Sequence, residues 1–224
     1  MKKKIRSLSK SFLKNIFGEK RYYTAKYRVR LLKWFLNKPP YPSLETNKVN
    51  IHLGCGKINH PDFINVDLAL YPHIHHLSNV SDLKIFEDNF ADLIYVSHCL
   101  EHIPHPQILS VLEEWNRVLK PEGVLRISVP NFDTIIDIYN DTNKDLTELQ
   151  GPLMGGNDSV YNVHHVVFND RYLEQLLQKA GYKDIRLWEI GEDNYSSFDD
   201  WSGKKVSVNN RNYFISLNMQ GIKK

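Results

Sequence analysis

Cysteine is scarce in this chain of 224 residues, which contains only Cys55 and Cys99. The two are not in a CxxC spacing, so the sequence predicts neither a disulfide framework nor a zinc knuckle. The first 40 residues also contain no apolar run long enough for a secretory signal or a membrane span. These absences favour a reducing, cytoplasmic setting.

Acidic residues are almost missing from the start of the chain. Residues 1–40 hold 13 lysines and arginines against a single acid, Glu19, whereas the remainder holds 16 basic residues against 25 acids. Three prolines, Pro39, Pro40 and Pro42, then mark a boundary. We therefore expect a basic N-terminal arm, residues 1–42, joined to an acidic domain, residues 43–224, with the arm facing an anionic partner.

The arm is compatible with three kinds of partner. Its apolar residues recur at near-helical spacing with lysines between them, at Ile5, Leu8, Phe12 and Ile16. Such a segment suits a membrane interface with anionic head groups. The arm also suits binding to RNA phosphates. The third alternative is that it packs on its own domain. We expect attachment to the inner face of the cytoplasmic membrane, with nucleic acid as the less favoured partner.

From residue 48 onward, short apolar runs alternate with helical stretches. The runs 49–53, 63–66, 93–96 and 124–129 are typical of strands buried on both faces. Helical spacing appears at 108–119 and 173–180, and the closing strands are predicted at 185–190 and 213–219, with a long loop at 191–209 between them. This order predicts a doubly wound α/β sheet.

The loop at Gly54-Cys55-Gly56 lacks the features of common phosphate-binding loops. Position 59 is Asn where a dinucleotide fingerprint has its third glycine, and the chain has no GxxxxGK[ST] motif. Only residues 57–62 separate this loop from the second strand, too few for a normal helical crossover. Asp67 at the end of that strand is placed to accept hydrogen bonds from both hydroxyls of a ribose. These features favour an adenosine ligand without phosphates, such as S-adenosylmethionine.

The stretch at 88–131 carries a family resemblance. It reads DNFADLIYVSHCLEHIPHPQILSVLEEWNRVLKPEGVLRISVPN and resembles the central segment of class I S-adenosylmethionine-dependent methyltransferases. Asp92 opens strand four, Leu100-Glu101-His102 lies beside the active site, and Leu-Lys-Pro-x-Gly at 119–123 precedes strand five. The resemblance covers residues 48–224 and implies a Rossmann-like, seven-stranded, mostly parallel sheet whose last strand is antiparallel.

The same resemblance implies roles for individual residues. The cofactor, S-adenosylmethionine, is expected to be bound by Gly54, Cys55, Gly56, Asp67, Asp82, Leu83, Ser97 and His98. Methyl transfer to an alcohol also requires removal of a proton, for which a general base is useful. The expected catalytic candidates are Glu101, His102 and His165.

Ten histidines raise the question of a metal, but no HExxH motif or set of clustered carboxylates accompanies them. The sequence therefore predicts no metal site.

The shortened glycine crossover is similar to that of a subgroup of methyltransferases often linked to cell-surface glycan synthesis. We expect O-methylation of a small-molecule or glycan acceptor, at a hydroxyl of a sugar or lipid-linked glycan. The alternatives are an RNA methyltransferase that uses the arm as a clamp, and a cofactor-binding regulatory protein without catalysis.

Overall fold

The computed structural model describes residues 19–43, 48–159 and 161–224. The predicted helical spacing at residues 5–16 lies outside this part, as does most of the short stretch that follows Pro42. Nine strands are described: β1 (Asn50–Leu53), β2 (Ile64–Asp67), β3 (His76–Leu77), β4 (Ala91–Ser97), β5 (Leu119–Pro130), β6 (Tyr182–Leu187), β7 (Lys205–Val208), β8 (Arg211–Phe214) and β9 (Ser216–Lys223).

Seven of these strands form one sheet in the order β3-β2-β1-β4-β5-β9-β6. The pairs from β3 to β5 are parallel, and β9 runs antiparallel to both β5 and β6. The predicted seven-stranded, mostly parallel sheet is therefore confirmed. Because the chain reverses its winding direction at β1 and β4, a crevice opens beyond their carboxyl ends.

Five α-helices are described: α1 (Glu19–Leu36), α2 (Ile108–Val118), α3 (Phe132–Asp141), α4 (Gln150–Met154) and α5 (Asp170–Lys179). The ends of α5 follow the predicted signals. The Asn169 side chain accepts a hydrogen bond from the Tyr172 amide at 3.1 Å, and Gly181 follows the helix with φ of +92°. Leu173 and Leu177 on its inner face are fully buried, so the amphipathic pattern places this helix against the sheet.

The C-terminal part differs from the prediction. The loop expected at 191–209 contains β7, which pairs with β8 as a hairpin separate from the main sheet. Asn209 and Asn210 between these strands both have positive φ, the conformation of a type I′ turn. The closing strand accordingly starts at Ser216 rather than 213, and β6 starts at Tyr182 rather than 185. The Asn-Asn pair was the hairpin signal in the sequence.

The short crossover between β1 and β2 is confirmed, since residues 57–62 form turns and no helix. The arm helix α1 lies against the segment that follows β2. The Arg30 guanidinium donates to the Leu70 carbonyl at 2.8 Å, and the Trp34 indole donates to the Ile74 carbonyl at 2.7 Å. In the described part of the chain, no helix is both long and apolar enough to cross a membrane.

Candidate active site

A cavity of about 470 Å³ opens at the carboxyl ends of β1 and β2, and we call it the Asp67 cavity. Its size is in the ordinary range for a small-molecule site. It also lies at the switch point of the sheet, where open α/β folds bind ligands. The lining residues are Gly54, Asp67, Leu68, Ala69, Asn79, Val80, Ser81, Cys99, His102, Ile103, Pro104, Gln107 and Tyr161.

Asp67 is fixed by two backbone amides. One carboxylate oxygen accepts from Gly56 N at 2.7 Å and the other from Ala69 N at 2.6 Å. A carboxylate has about four acceptor positions, so these two bonds leave capacity for further donors. Asp67 is thus preorganised to accept hydrogen bonds from a ligand in the cavity, in keeping with the predicted ribose contact.

Gly54 shapes the floor of this cavity. Its φ is +62°, and a Cβ atom at this position would lie 2.1 Å from the Cys99 sulfur. Only glycine therefore fits here while the chain turns from β1 into the loop. Cys55, the next residue, is buried, and burial together with nearby Asp67 raises the pKa of its thiol. A protonated, enclosed thiol contributes packing rather than nucleophilic chemistry.

Asp82 and Leu83, two of the residues that the resemblance implies for cofactor binding, lie outside the lining of the Asp67 cavity. The Leu83 side chain is fully buried in the main core, and the Asp82 carboxylate is largely exposed and paired with Lys84 at 3.4 Å. The wall of the Asp67 cavity at this point is formed instead by residues 79–81. Asp82 and Leu83 thus do not line the cavity, and their contact with the cofactor stays a prediction.

A second cavity, of about 390 Å³, adjoins the first, and we call it the Glu101 cavity. His102 lines both cavities. Segments distant in sequence meet here: the end of β4, the end of β5, the residues around α4, and the loop before β7. The lining residues are His98, Glu101, His102, Pro130, Gly151, Pro152, Gly155, Gly156, Asn162, His164, Trp201 and Ile215.

His98 takes part in this second cavity rather than in the cofactor-side one. It directly follows Ser97, the half-buried last residue of β4, and has φ of +51°, which is uncommon for a residue with a side chain. Its Nδ1 lies 3.1 Å from a Glu101 carboxylate oxygen and its Nε2 lies 2.8 Å from the Ser216 hydroxyl. Backbone strain of this kind persists where surrounding contacts hold it, here between Glu101 and β9.

Glu101 is the buried charge of the site, with a side chain that is 0% exposed. Burial acts to raise the pKa of its carboxyl, but the interactions with the nearby His98 and His102 rings outweigh it. The net pKa is lowered, so the group is a carboxylate at neutral pH. Neither carboxylate oxygen has a hydrogen-bond partner of good geometry among the described residues.

His164, and not the predicted His165, lines the Glu101 cavity. His165 is exposed, and its backbone amide donates to the Glu101 carbonyl at 2.7 Å. His164 lines the cavity with a side chain only 10% exposed, and its Nε2 lies 3.9 Å from Glu101. Burial lowers the pKa of His164, although Glu101 opposes the shift. The prediction of His165 at the pocket is therefore corrected by one residue.

The fold is that of an α/β protein with a ligand-sized cavity at the switch point of its sheet and a second cavity beside it. A family model described as a methyltransferase domain matches residues 35–187 of the chain. The chain therefore belongs to the methyltransferase domain family. It is an S-adenosylmethionine-dependent methyltransferase, and S-adenosylmethionine is its cofactor.

Solved structures match the chain at low sequence identity. A SAM-dependent methyltransferase from Archaeoglobus fulgidus is 16% identical over 89% of this chain and 94% of its own, with a TM-score of 0.49. A SAM-dependent methyltransferase from Methanosarcina mazei is 17% identical over 80% of this chain and 94% of its own, with a TM-score of 0.48. No curated protein matches the sequence significantly.

Proposed function

We propose that this methyltransferase transfers its methyl group to a hydroxyl group of a sugar or a lipid-linked glycan. The observation that carries the proposal is the Glu101 carboxylate, which lies at the wall of the Glu101 cavity, is fully buried and ionised, and has no hydrogen-bond partner on either oxygen among the described residues. A hydroxyl must lose its proton as it attacks, and a carboxylate in a water-poor site can accept that proton. Trp201, half exposed at the same cavity, gives a flat apolar surface for a sugar ring.

The reaction is a displacement at carbon. The acceptor oxygen forms a bond to the methyl carbon as the carbon–sulfur bond breaks, and the electron pair of that bond stays on sulfur to give S-adenosylhomocysteine. The hydroxyl proton goes to the Glu101–His102 pair. Much of the rate enhancement comes from holding donor and acceptor in line, which the two adjoining cavities would accomplish.

The binding roles follow from the Asp67 cavity. Asp67 would accept hydrogen bonds from the ribose hydroxyls, and Gly54 would let the cofactor approach the backbone closely. Residues 79–81 would face the adenine ring. None of these contacts involves Glu101, which lines the other cavity and is free for the acceptor.

The test is an assay of S-adenosylhomocysteine release with hydroxyl acceptors, namely sugars and lipid-linked glycans, beside amine acceptors. We expect turnover with a hydroxyl acceptor that falls at least a hundredfold in Glu101→Gln, with unchanged binding of S-adenosylhomocysteine. Glu113→Gln, an exposed glutamate on α2, is the matched control and should retain activity. Methylation of amines alone would overturn the hydroxyl proposal. Cofactor binding without turnover of any acceptor would favour a regulatory protein instead.

We further propose that residues 1–42 form an arm that attaches the enzyme to an anionic membrane surface on the cytoplasmic side. Lys26, Arg28 and Lys33 on α1 are exposed, and Phe35 and Leu36 beyond them are 72% and 71% exposed. Exposed cations next to exposed large apolar side chains suit the boundary between head groups and acyl chains.

Vesicle sedimentation of the full chain tests this attachment. Binding should require anionic lipid, weaken with salt and fall in a Phe35→Ser, Leu36→Ser double variant. Leu187→Ser, at an exposed leucine on β6, is the matched control. Binding to RNA in preference to anionic vesicles would reverse the assignment and favour the RNA methyltransferase alternative.

A further inference from the structure

We propose that Glu101, His102 and His164 bind a divalent first-row transition-metal ion in the Glu101 cavity. The three residues, which we call the Glu101 cluster, each offer one ligand atom, and these atoms lie within 4.8 Å of one another. Two imidazole nitrogens and one carboxylate are a donor set that suits such ions. The sequence predicts no metal here because His164 lies more than sixty residues after the adjacent pair Glu101-His102.

Both histidines are oriented as metal ligands usually are. His102 Nδ1 lies 3.1 Å from the Val163 carbonyl, and His164 Nδ1 lies 3.1 Å from the Pro152 carbonyl. A carbonyl accepts, so each Nδ1 carries the hydrogen and each Nε2 keeps its free electron pair. Metal-binding histidines commonly donate their other ring N–H to a backbone carbonyl, which fixes the tautomer and the direction of the ring.

The backbone holds the cluster together from both sides. The His102 ring reaches Val163, while the His165 amide donates to the Glu101 carbonyl at 2.7 Å. His164 lies between these two contacts, and its own amide donates to the Met154 carbonyl at 3.1 Å. The ligands are thus fixed before an ion arrives, which lowers the entropy lost on binding.

The spacing is close to that of a filled site. Ligands bound at about 2.1 Å from an ion lie roughly 3 to 4 Å from each other. The 3.9 Å between His164 Nε2 and Glu101 Oε1 falls in that range, and all three ligand atoms lie within 4.8 Å of one another.

Glu101 supplies an independent reason to expect a cation. It is fully buried, neither of its carboxylate oxygens has a hydrogen-bond partner among the described residues, and it lines the cavity. A buried carboxylate oxygen without a partner is costly, and coordination to an ion removes that cost. The three ligands all line the cavity, so the remaining coordination positions of the ion would face the acceptor.

One consequence rests on the proposed function. An acceptor hydroxyl bound to the ion would have a lowered pKa, and its proton would leave to solvent while the oxygen attacks the methyl carbon. The ion would then replace direct proton transfer to the Glu101–His102 pair. Ion binding itself does not depend on this consequence.

The test is titration of the untagged, chelator-treated protein with Co²⁺, followed by visible absorption and calorimetry. We expect one equivalent of Co²⁺ to bind with a ligand-field spectrum typical of mixed nitrogen and oxygen ligands. Affinity should fall at least tenfold in His164→Ala and in Glu101→Gln. His165→Ala, at the adjacent exposed histidine, is the matched control and should bind as the wild type does.

Binding of S-adenosylhomocysteine to every variant, measured beside the Co²⁺ titration, establishes that the protein is folded. A folded wild type that binds no Co²⁺, Zn²⁺ or Mn²⁺ would overturn the metal site and leave the hydroxyl methyltransferase proposal standing with Glu101 as the base. Equal loss of affinity in His165→Ala and His164→Ala would also overturn it. Metal binding without turnover of any hydroxyl acceptor would support the site and count against the proposed function.

Discussion

The Asp67 cavity and the Glu101 cavity share His102 but are built in different ways. The first is formed largely by residues 54–107, at the ends of adjacent parallel strands. The second brings together segments from residue 98 to residue 215 that meet only in the folded protein. The first cavity therefore carries a local sequence signature and the second does not.

Their chemistry differs in the same way. In the Asp67 cavity the charged group is already satisfied in part by backbone amides of Gly56 and Ala69. In the Glu101 cavity, neither oxygen of the buried carboxylate has a hydrogen-bond partner among the described residues. A carboxylate held by backbone hydrogen bonds suits a site that binds the same cofactor in every reaction. Buried polar atoms without hydrogen-bond partners instead indicate that a further group binds there.

The largest effect is expected at the floor of the Asp67 cavity. Gly54→Ala places a Cβ 2.1 Å from the Cys99 sulfur at φ of +62°, so the loop must shift. We expect the free energy of unfolding to fall by about 2–4 kcal/mol, from overpacking together with the left-handed backbone. Chemical denaturation measures it.

Two controls separate the clash from the backbone cost. Gly56 has φ of +55°, but the space around an added Cβ is open. Gly56→Ala should therefore lower the free energy of unfolding by only about 1 kcal/mol. Adding Cys99→Ala to Gly54→Ala should recover most of the difference, because the nearest remaining Cys99 atom is 3.6 Å away. Equal losses in Gly54→Ala and Gly56→Ala would refute the packing explanation.

The next effect concerns the cofactor itself. Asp67→Ala removes a charged acceptor, and hydrogen bonds to charged groups contribute about 1.5–3 kcal/mol, so affinity for S-adenosylhomocysteine should fall roughly ten- to a hundredfold. Asp82→Ala, at a largely exposed aspartate that pairs with Lys84, should leave affinity unchanged. Calorimetric titration measures both variants. Loss of affinity in Asp82→Ala would restore that residue to the adenine site.

The sheet and the glycine turn beside the Asp67 cavity could be predicted because their signals are local. Buried parallel strands appear as short apolar runs, and the Gly54 turn lies directly between two of them. The pairing of Asp67 with this loop follows from the short crossover, since eleven residues separate Asp67 from Gly56. Such features depend on neighbouring residues and survive in a single sequence.

The Glu101 cavity could be predicted only in part. Glu101 and His102 belong to a recognisable segment, but the sequence predicts His165 as the third catalytic candidate, whereas His164 lines the cavity. The chain around it is irregular, so no period of two or 3.6 indicates which side chain faces inward. Two long-range hydrogen bonds decide the orientation: the His165 amide donates to the Glu101 carbonyl, and the His102 ring lies against the Val163 carbonyl.

A smaller effect is expected on the Glu101 side. Gly155 has φ of +77°, and a Cβ there would lie 2.6 Å from the Asn162 carbonyl oxygen and 3.1 Å from the His164 ring. Gly155→Ala should lower the free energy of unfolding by about 1–2 kcal/mol and weaken Co²⁺ binding, with unchanged affinity for S-adenosylhomocysteine. Gly151→Ala, with open space at the added Cβ, is the matched control. Weakened cofactor binding in Gly155→Ala would show that the cavities are not independent.

The smallest effect is expected where α1 contacts the domain formed by residues 43–224. The described hydrogen bonds of α1 with that domain are made near the Asp67 cavity and not near the Glu101 cavity. The Trp34 indole donates to the Ile74 carbonyl at 2.7 Å, and Trp34→Phe removes that donor while keeping an aromatic ring. One hydrogen bond contributes about 0.5–1.5 kcal/mol, so limited proteolysis should cut more readily near α1. The segment at 68–74 that α1 contacts also borders the Asp67 cavity, so affinity for S-adenosylhomocysteine should fall slightly, by less than tenfold. Co²⁺ binding at the Glu101 cluster should stay unchanged, and a fall in both affinities would mean that the arm supports the whole site rather than one side of it.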